Sequence, residues 1–140
     1  MMKTLIKPLL LASVVALGVT QPAKAVDQDD LIAVLQDYME MAAFGDGVIT
    51  ADQLKAMMNE QEVFIIDARQ EQDYNQSHIP GAVNIDWRFV LSELDQIPDD
   101  KMIVLYCDTG ILSSKAHMAL RLIGYDQARV LFNGYSSWSE

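Results

Sequence analysis

The stretch from Lys101 to Gly124, KMIVLYCDTGILSSKAHMALRLIG, constrains the fold more than any other. Met102 to Tyr106 is an unbroken apolar run, the pattern of a parallel strand covered on both faces. Asp108-Thr109-Gly110 then turns the chain. Ala116, Ala119, Leu120 and Ile123 recur at helical spacing, with Lys115, His117 and Arg121 on another side and Gly124 as the stop. Strand, short loop and helix in that order set Cys107, the only cysteine, between a strand's carboxyl end and a helix's start. Open α/β sheets bind their ligands at that position.

Upstream, strand and helix signals alternate. Thr50 with Gln53 three residues on forms a capping box, and Ile49 with Leu54 a hydrophobic staple, so a helix begins there and turns Leu54, Met57 and Met58 inward. Val63 to Ile66 is a second fully apolar strand, ending in Asp67-Ala68-Arg69. Gln70 to Gln76 reads as a short polar helix, His78-Ile79-Pro80-Gly81-Ala82 as a turn and Val83-Asn84-Ile85 as a short strand. Asp86 is placed to cap a helix from Trp87 to about Asp95. A last strand, Arg129 to Phe132, leads through Asn133-Gly134 into a brief helix around Trp138. This alternation implies an α/β fold with a parallel sheet and right-handed crossovers. Methionines at helical spacing read as core filler, not as a metal site.

Residues 1–25 carry the three parts of a secretory leader: Lys3 and Lys7, the apolar Leu9 to Val19, and Ala23-Lys24-Ala25 as a small-residue cleavage site. The apolar part falls short of the ~20 residues that span a bilayer. The expectation is therefore cleavage, a mature chain from about Val26 with no membrane span, and a periplasmic or secreted location. Residues 26–46 read as a helical extension. Asp27, Asp29 and Asp30 favour a helix start, Leu31, Val34, Leu35, Tyr38 and Ala42 share one face, and Gly45-Asp46-Gly47 ends it. That stripe is expected to pack on the core of the domain proper, residues 47–140.

The chain holds 20 acidic against 10 basic residues, a formal net charge of −10, and loss of the leader would remove three of the lysines. Nucleic acid and anionic membranes are poor partners for such a chain. A lone cysteine cannot form an internal disulfide, so after export Cys107 is either buried and inert or kept for its chemistry, and its place on the sheet favours the second. One Cys and two His offer no ligand spacing such as C-x-x-C or H-x-x-x-H, so no metal or cofactor is expected.

VFIIDARQEQDYNQSHIPGAVNI, IVLYCDTGILSS and LFNGYSSW, in that order, resemble a single-domain rhodanese, a sulfurtransferase module. The resemblance covers about Gly47 to Glu140 and rests on the ordered set D-x-R, H-I-P-G-A-x-N-I, strand-Cys-loop and G-x-x-x-W. It implies a small five-stranded parallel sheet flanked by helices, with the extra N-terminal helix outside the pattern. It also implies that Cys107 carries a persulfide between a donor (thiosulfate, polysulfide or another persulfide) and a thiol or cyanide acceptor. The partner is then a small sulfur compound or a persulfide-carrying protein. By the same resemblance Asp67 and Arg69 fix the base of the pocket, and the segment around His78 packs nearby. The chain departs from the family in four places. Leu112 stands where many active relatives close the loop with Arg, Asp108 where a neutral or basic residue is common, and Ser77 and Asn133 where Gly is usual.

Sulfur transfer needs a thiolate, so the site must lower a thiol pKa of about 8.5. Helix charge supplies at most ~2 kcal/mol, or ~1.5 pKa units. The remainder is expected from the amides of the loop Asp108, Thr109, Gly110, Ile111, Leu112 and Ser113, curled around the sulfur as a nest, with Gly110 permitting the tight turn. Asp108 would oppose ionisation if turned inward, so its carboxylate is expected to face out. Trp87 and Arg88 are read as bordering the pocket, Arg88 as a contact for an anionic donor. His78 is expected to fix its turn through hydrogen bonds. His117 is expected on the exposed side of its helix, a Cys-His pair being the other reading. Two further functions compete: a catalytically weak binding or sulfur-sensing module, favoured by Asp108 and Leu112, and a cysteine phosphatase or arsenate reductase, since phosphatases of the cell-cycle type share the fold. Such a phosphatase needs a longer loop ending in Arg, where this chain has Ser113.

Overall fold

The computed structural model describes residues 26–42, 45 and 47–139; the leader-like segment 1–25 lies outside them. Among the described residues five parallel strands form one sheet: β1 (Val48–Ile49), β2 (Val63–Asp67), β3 (Val83–Asn84), β4 (Met102–Tyr106) and β5 (Ala128–Leu131), in the spatial order β1-β5-β4-β2-β3. The helices are α1 (Gln28–Met41), α2 (Ala51–Glu60), α3 (Glu71–Gln76), α4 (Ile111–Leu122) and α5 (Gly134–Trp138). The five-stranded parallel α/β architecture expected from the resemblance is thus the one observed, N-terminal helix included.

The two apolar runs occupy the middle of the sheet because both their faces are covered. Along β4, Ile103 and Leu105 pack with Ile66, Ala116, Leu120 and Ala128, while Val104 and Tyr106 pack with Ile49, Leu54, Ile65 and Leu131 on the other face. α2 starts with the capping box in full: the Thr50 hydroxyl accepts the Gln53 N–H at 3.2 Å, and the Gln53 side chain accepts the Thr50 N–H at 2.9 Å. Leu54 is completely buried behind it.

Three expectations are corrected. The helix expected over Trp87–Asp95 is a run of turns followed by a 3-10 turn at Leu94–Gln96. Asp86 does cap, but it accepts the N–H of Arg88 two residues on, and the bonds Phe89 N–H to Asp86 O and Ser92 N–H to Phe89 O close i,i+3 turns that never lengthen into a helix. The stripe of α1 does not enter the core. No residue of α1 is buried, and Val34, Tyr38 and Met41 border a hollow whose other side is lined by His117, Arg121 and Leu122 of α4 and by Asp126. On α4 the inward face is Ser113, Ala116, His117 and Leu120, one position round from the expected one, which leaves Ile123 half exposed. His117 is therefore buried rather than on the surface.

Candidate active site

Cys107 follows β4 directly and its side chain is buried, 2% exposed. The Gly110 N–H points at Sγ at 3.2 Å and the Ser113 hydroxyl lies 3.6 Å from it. Burial is the largest single influence on the thiol and pushes its pKa up. The Ser113 amide and hydroxyl, with the amides of Thr109 and Leu112, together outweigh it and hold the thiol below its ordinary value. Sγ thus sits at the start of α4 inside a nest of backbone N–H groups.

The entry to the loop is also held from its other side. The Cys107 carbonyl accepts the Tyr135 N–H at 2.7 Å, and the Asp108 carbonyl accepts the N–H and the hydroxyl of Ser136 at 3.2 and 2.9 Å. These bonds to the start of α5 fix the two peptide planes that carry the Asp108 and Thr109 amides at the entry to the loop. Gly110 is left-handed at φ 93°, which lets the chain swing from strand end to helix start. Gly134 permits the close approach, since a Cβ there would lie 2.1 Å from the Cys107 carbonyl oxygen.

Below the loop Asp67 and Arg69 form a buried pair, Oδ2 to Nη2 at 2.6 Å. Asp67 also accepts the Tyr106 hydroxyl at 2.7 Å, and that hydroxyl accepts the Ile79 N–H at 3.1 Å. Burial first, then the Asp67 carboxylate, push the Tyr106 phenol well above its usual range, so it stays a neutral donor. Arg69 donates to the Ser77 carbonyl at 2.7 Å and lies over the rings of Tyr106 and Tyr135, its Cζ 5.6 and 4.6 Å from their centroids. Its Nη1 reaches the Asp108 carboxylate at 3.3 Å, and the Asp108 side chain is 67% exposed.

Beside the sulfur loop opens a cleft of about 290 Å³ lined by Arg69, Trp87, Arg88, Asp108 and Leu112, among others, while Cys107 itself stays buried behind the loop and outside that lining. Arg88 borders it, paired with Asp86 at 2.5 Å. A larger hollow of about 350 Å³ lies between α1 and the far end of α4, away from the thiol. His78 does not line the cleft. Its Nδ1 is 2.9 Å from the Tyr74 carbonyl oxygen and its ring stacks on that of Tyr74 at 4.0 Å, so it fixes the turn. His117 is not near the thiol either: Nε2 is 3.1 Å from the carbonyl oxygen of Ala128, at the opposite end of the parallel sheet from Cys107. Sequence reasoning missed Tyr106, Gly134 and Tyr135 as supports. The G-x-x-x-W pattern contains the second and third, but only tertiary contact shows what they touch. Among the described residues no group of three or more His, Cys, Asp or Glu is placed to hold a metal ion.

Residues 50–140 match the model of the rhodanese-like domain. The chain belongs to the rhodanese-like family. Within that sulfurtransferase family, the thiosulfate sulfurtransferase GlpE of Shewanella oneidensis is 32% identical over 92 residues, which are 66% of this chain and 91% of that protein. The probable adenylyltransferase/sulfurtransferase MoeZ of Mycobacterium tuberculosis is 30% identical over 118 residues, 82% of this chain but 30% of that protein. This chain therefore spans under a third of that larger relative. The human single-domain sulfurtransferase TSTD1 shares the fold, with a TM-score of 0.60 at 21% identity over 66% of this chain and 95% of that one.

Proposed function

We propose that this protein is an exported rhodanese-type sulfurtransferase in which Cys107 carries the sulfur. The observation that carries this reading is the thiol itself: buried, held below its ordinary pKa, and ringed by amides that suit a thiolate, a persulfide and an anionic leaving group alike. In the first half-reaction the thiolate attacks the sulfane sulfur of the donor. A Cys107–S bond forms, the donor S–S bond breaks, and the leaving group departs with the electron pair, as sulfite when the donor is thiosulfate. In the second, a thiolate or cyanide attacks the outer sulfur and Cys107 leaves as thiolate. Neither step needs a general base once the thiol is ionised, and neither histidine is among the groups that bond the thiol or hold its pKa down.

The test is a donor panel of thiosulfate, polysulfide and glutathione persulfide, with cyanide or a dithiol as acceptor, run on the wild type and on Cys107→Ser. Turnover with at least one donor that vanishes in the variant is expected; turnover that survives the variant rejects the reading. Export is part of the same proposal and rests on the leader-like pattern of residues 1–25. A mature N-terminus near Val26 in the periplasmic or secreted fraction is expected, and an intact Met1 in the cytoplasm would refute it.

Asp108 and Leu112 favour the second reading, a catalytically weak binding or sulfur-sensing module. They set a carboxylate and an apolar side chain at the mouth where a small anion would dock. Negligible turnover with every donor, in a folded protein, is its signature. On the enzymatic reading Leu112→Arg improves thiosulfate use, so an unchanged or lower second-order rate constant counts against it.

A further inference from the structure

The guanidinium of Arg69 is held on two sides and shielded on the third. Nε and Nη2 are fixed by the buried Asp67 and by the Ser77 carbonyl. Nη1 alone turns toward the cleft, and there it meets the Asp108 carboxylate at 3.3 Å. The cleft wall carries Asp73, Asp86 and Asp108 against Arg69 and Arg88, and Arg88 is itself paired with Asp86. Its two cations are thus each matched before a donor arrives, and a carboxylate is left over.

We propose that Asp108 is a specificity-determining residue that screens the outward N–H of Arg69 and so turns the cleft against compact dianionic sulfur donors such as thiosulfate, leaving donors of lower negative charge preferred. This rests on the sulfurtransferase reading above and names its donor class. Asp108 is suited to the role because its side chain is exposed while its backbone is tied to Ser136, so the charge can be changed without releasing the loop. Arg69 does not follow the change, since its other nitrogens stay bound. Neutralising Asp108 therefore removes one negative charge from the cleft wall and leaves Arg69 paired with Asp67 alone.

The physics gives this a signature that a merely structural residue lacks. Coulomb energy is proportional to the donor's charge, so the free-energy gain for a dianion is twice that for a monoanion at the same site. The rate gain for the dianion is then about the square of the other. Thiosulfate and methanethiosulfonate form the matched pair: both present a sulfane sulfur to Cys107, with charges of −2 and −1, and their leaving groups are sulfite and methanesulfinate.

The experiment measures the second-order rate constant of Cys107 persulfide formation by quenched-flow mass spectrometry, for both donors, in the wild type, Asp108→Asn and Asp108→Glu. Asp108→Asn is expected to speed methanethiosulfonate about threefold and thiosulfate about tenfold at low salt, both gains shrinking as ionic strength rises. Asp108→Glu keeps the charge and is expected to keep the wild-type ratio of the two donors. Equal gains for the two donors, no gain, or a ratio altered as much by Glu as by Asn overturns the inference while persulfide formation itself stands. A wild type that forms no persulfide with either donor removes the underlying reading and this inference with it.

Discussion

Asp67-Ala68-Arg69, after β2, and Asp86-Trp87-Arg88, after β3, fold alike. In each, the aspartate Oδ1 accepts the arginine's own backbone N–H at 3.0 Å and its Nε–H at 2.9 or 3.0 Å, while Oδ2 accepts from Nη2 at 2.6 or 2.5 Å. Their surroundings differ. Asp67 and Arg69 are 0% and 6% exposed, Asp86 and Arg88 13% and 52%. Around the inner pair close the Tyr106 hydroxyl, the Ser77 carbonyl and two aromatic rings, whereas the outer pair has the Phe89 ring and water. A two-residue motif is enough to set the geometry of an ion pair, but burial decides what the pair does. The inner one ties β2, β4 and the sulfur loop into one frame. The outer one competes with water, which makes Arg88 the cation at the cleft that an anion can most readily engage.

If that contrast is correct, Asp67→Ala has the largest effect on stability. It leaves a buried guanidinium uncompensated and the Tyr106 hydroxyl without its acceptor, a loss of about 3–5 kcal/mol in urea unfolding. Arg69→Lys comes next, at about 1.5–3 kcal/mol, because a lysine keeps the charge but not the fork that serves Asp67, Ser77 and Asp108 together. Asp86→Ala removes the same local bonds from the outer pair, and its unfolding midpoint is expected to stay within the error of the measurement. A loss comparable to that of Asp67→Ala would erase the distinction.

The smallest effect is one of pH. The Arg88 guanidinium holds the Asp86 carboxyl below its ordinary value. A depressed carboxyl pKa contributes stability that is present above the ordinary carboxylate range and lost as pH falls through the depressed value. Asp86→Asn should therefore flatten the acid limb of the stability curve slightly, and a steeper limb in the variant would contradict the sign.

Much of the frame was legible in the sequence for reasons that recur in these pairs. Val63–Ile66 and Met102–Tyr106 read as strands because both faces of each are covered, so neither needs alternation. Thr50 and Gln53 read as a helix start because a capping box is a purely local device. β1 was illegible at two residues, and Ile49 looked like a staple before it looked like a strand. His117 was misjudged because helical period alone does not tell which flank a neighbouring strand will cover: Ala128 and Gly47 close over it. The cysteine, its loop and the D-x-R were visible as types and spacings. What Tyr106 and Gly134 contribute was not, because a hydroxyl's partner and a carbonyl's close approach are set by residues 39 and 27 positions away.

The central claim is that Cys107 is the sulfur carrier. Intact-mass measurement of the purified protein after incubation with each donor tests it directly, since the chain has a single cysteine. The expected result is one added sulfur on the wild type, removable by cyanide and absent from Cys107→Ser. An added sulfur that persists in Cys107→Ser would contradict it.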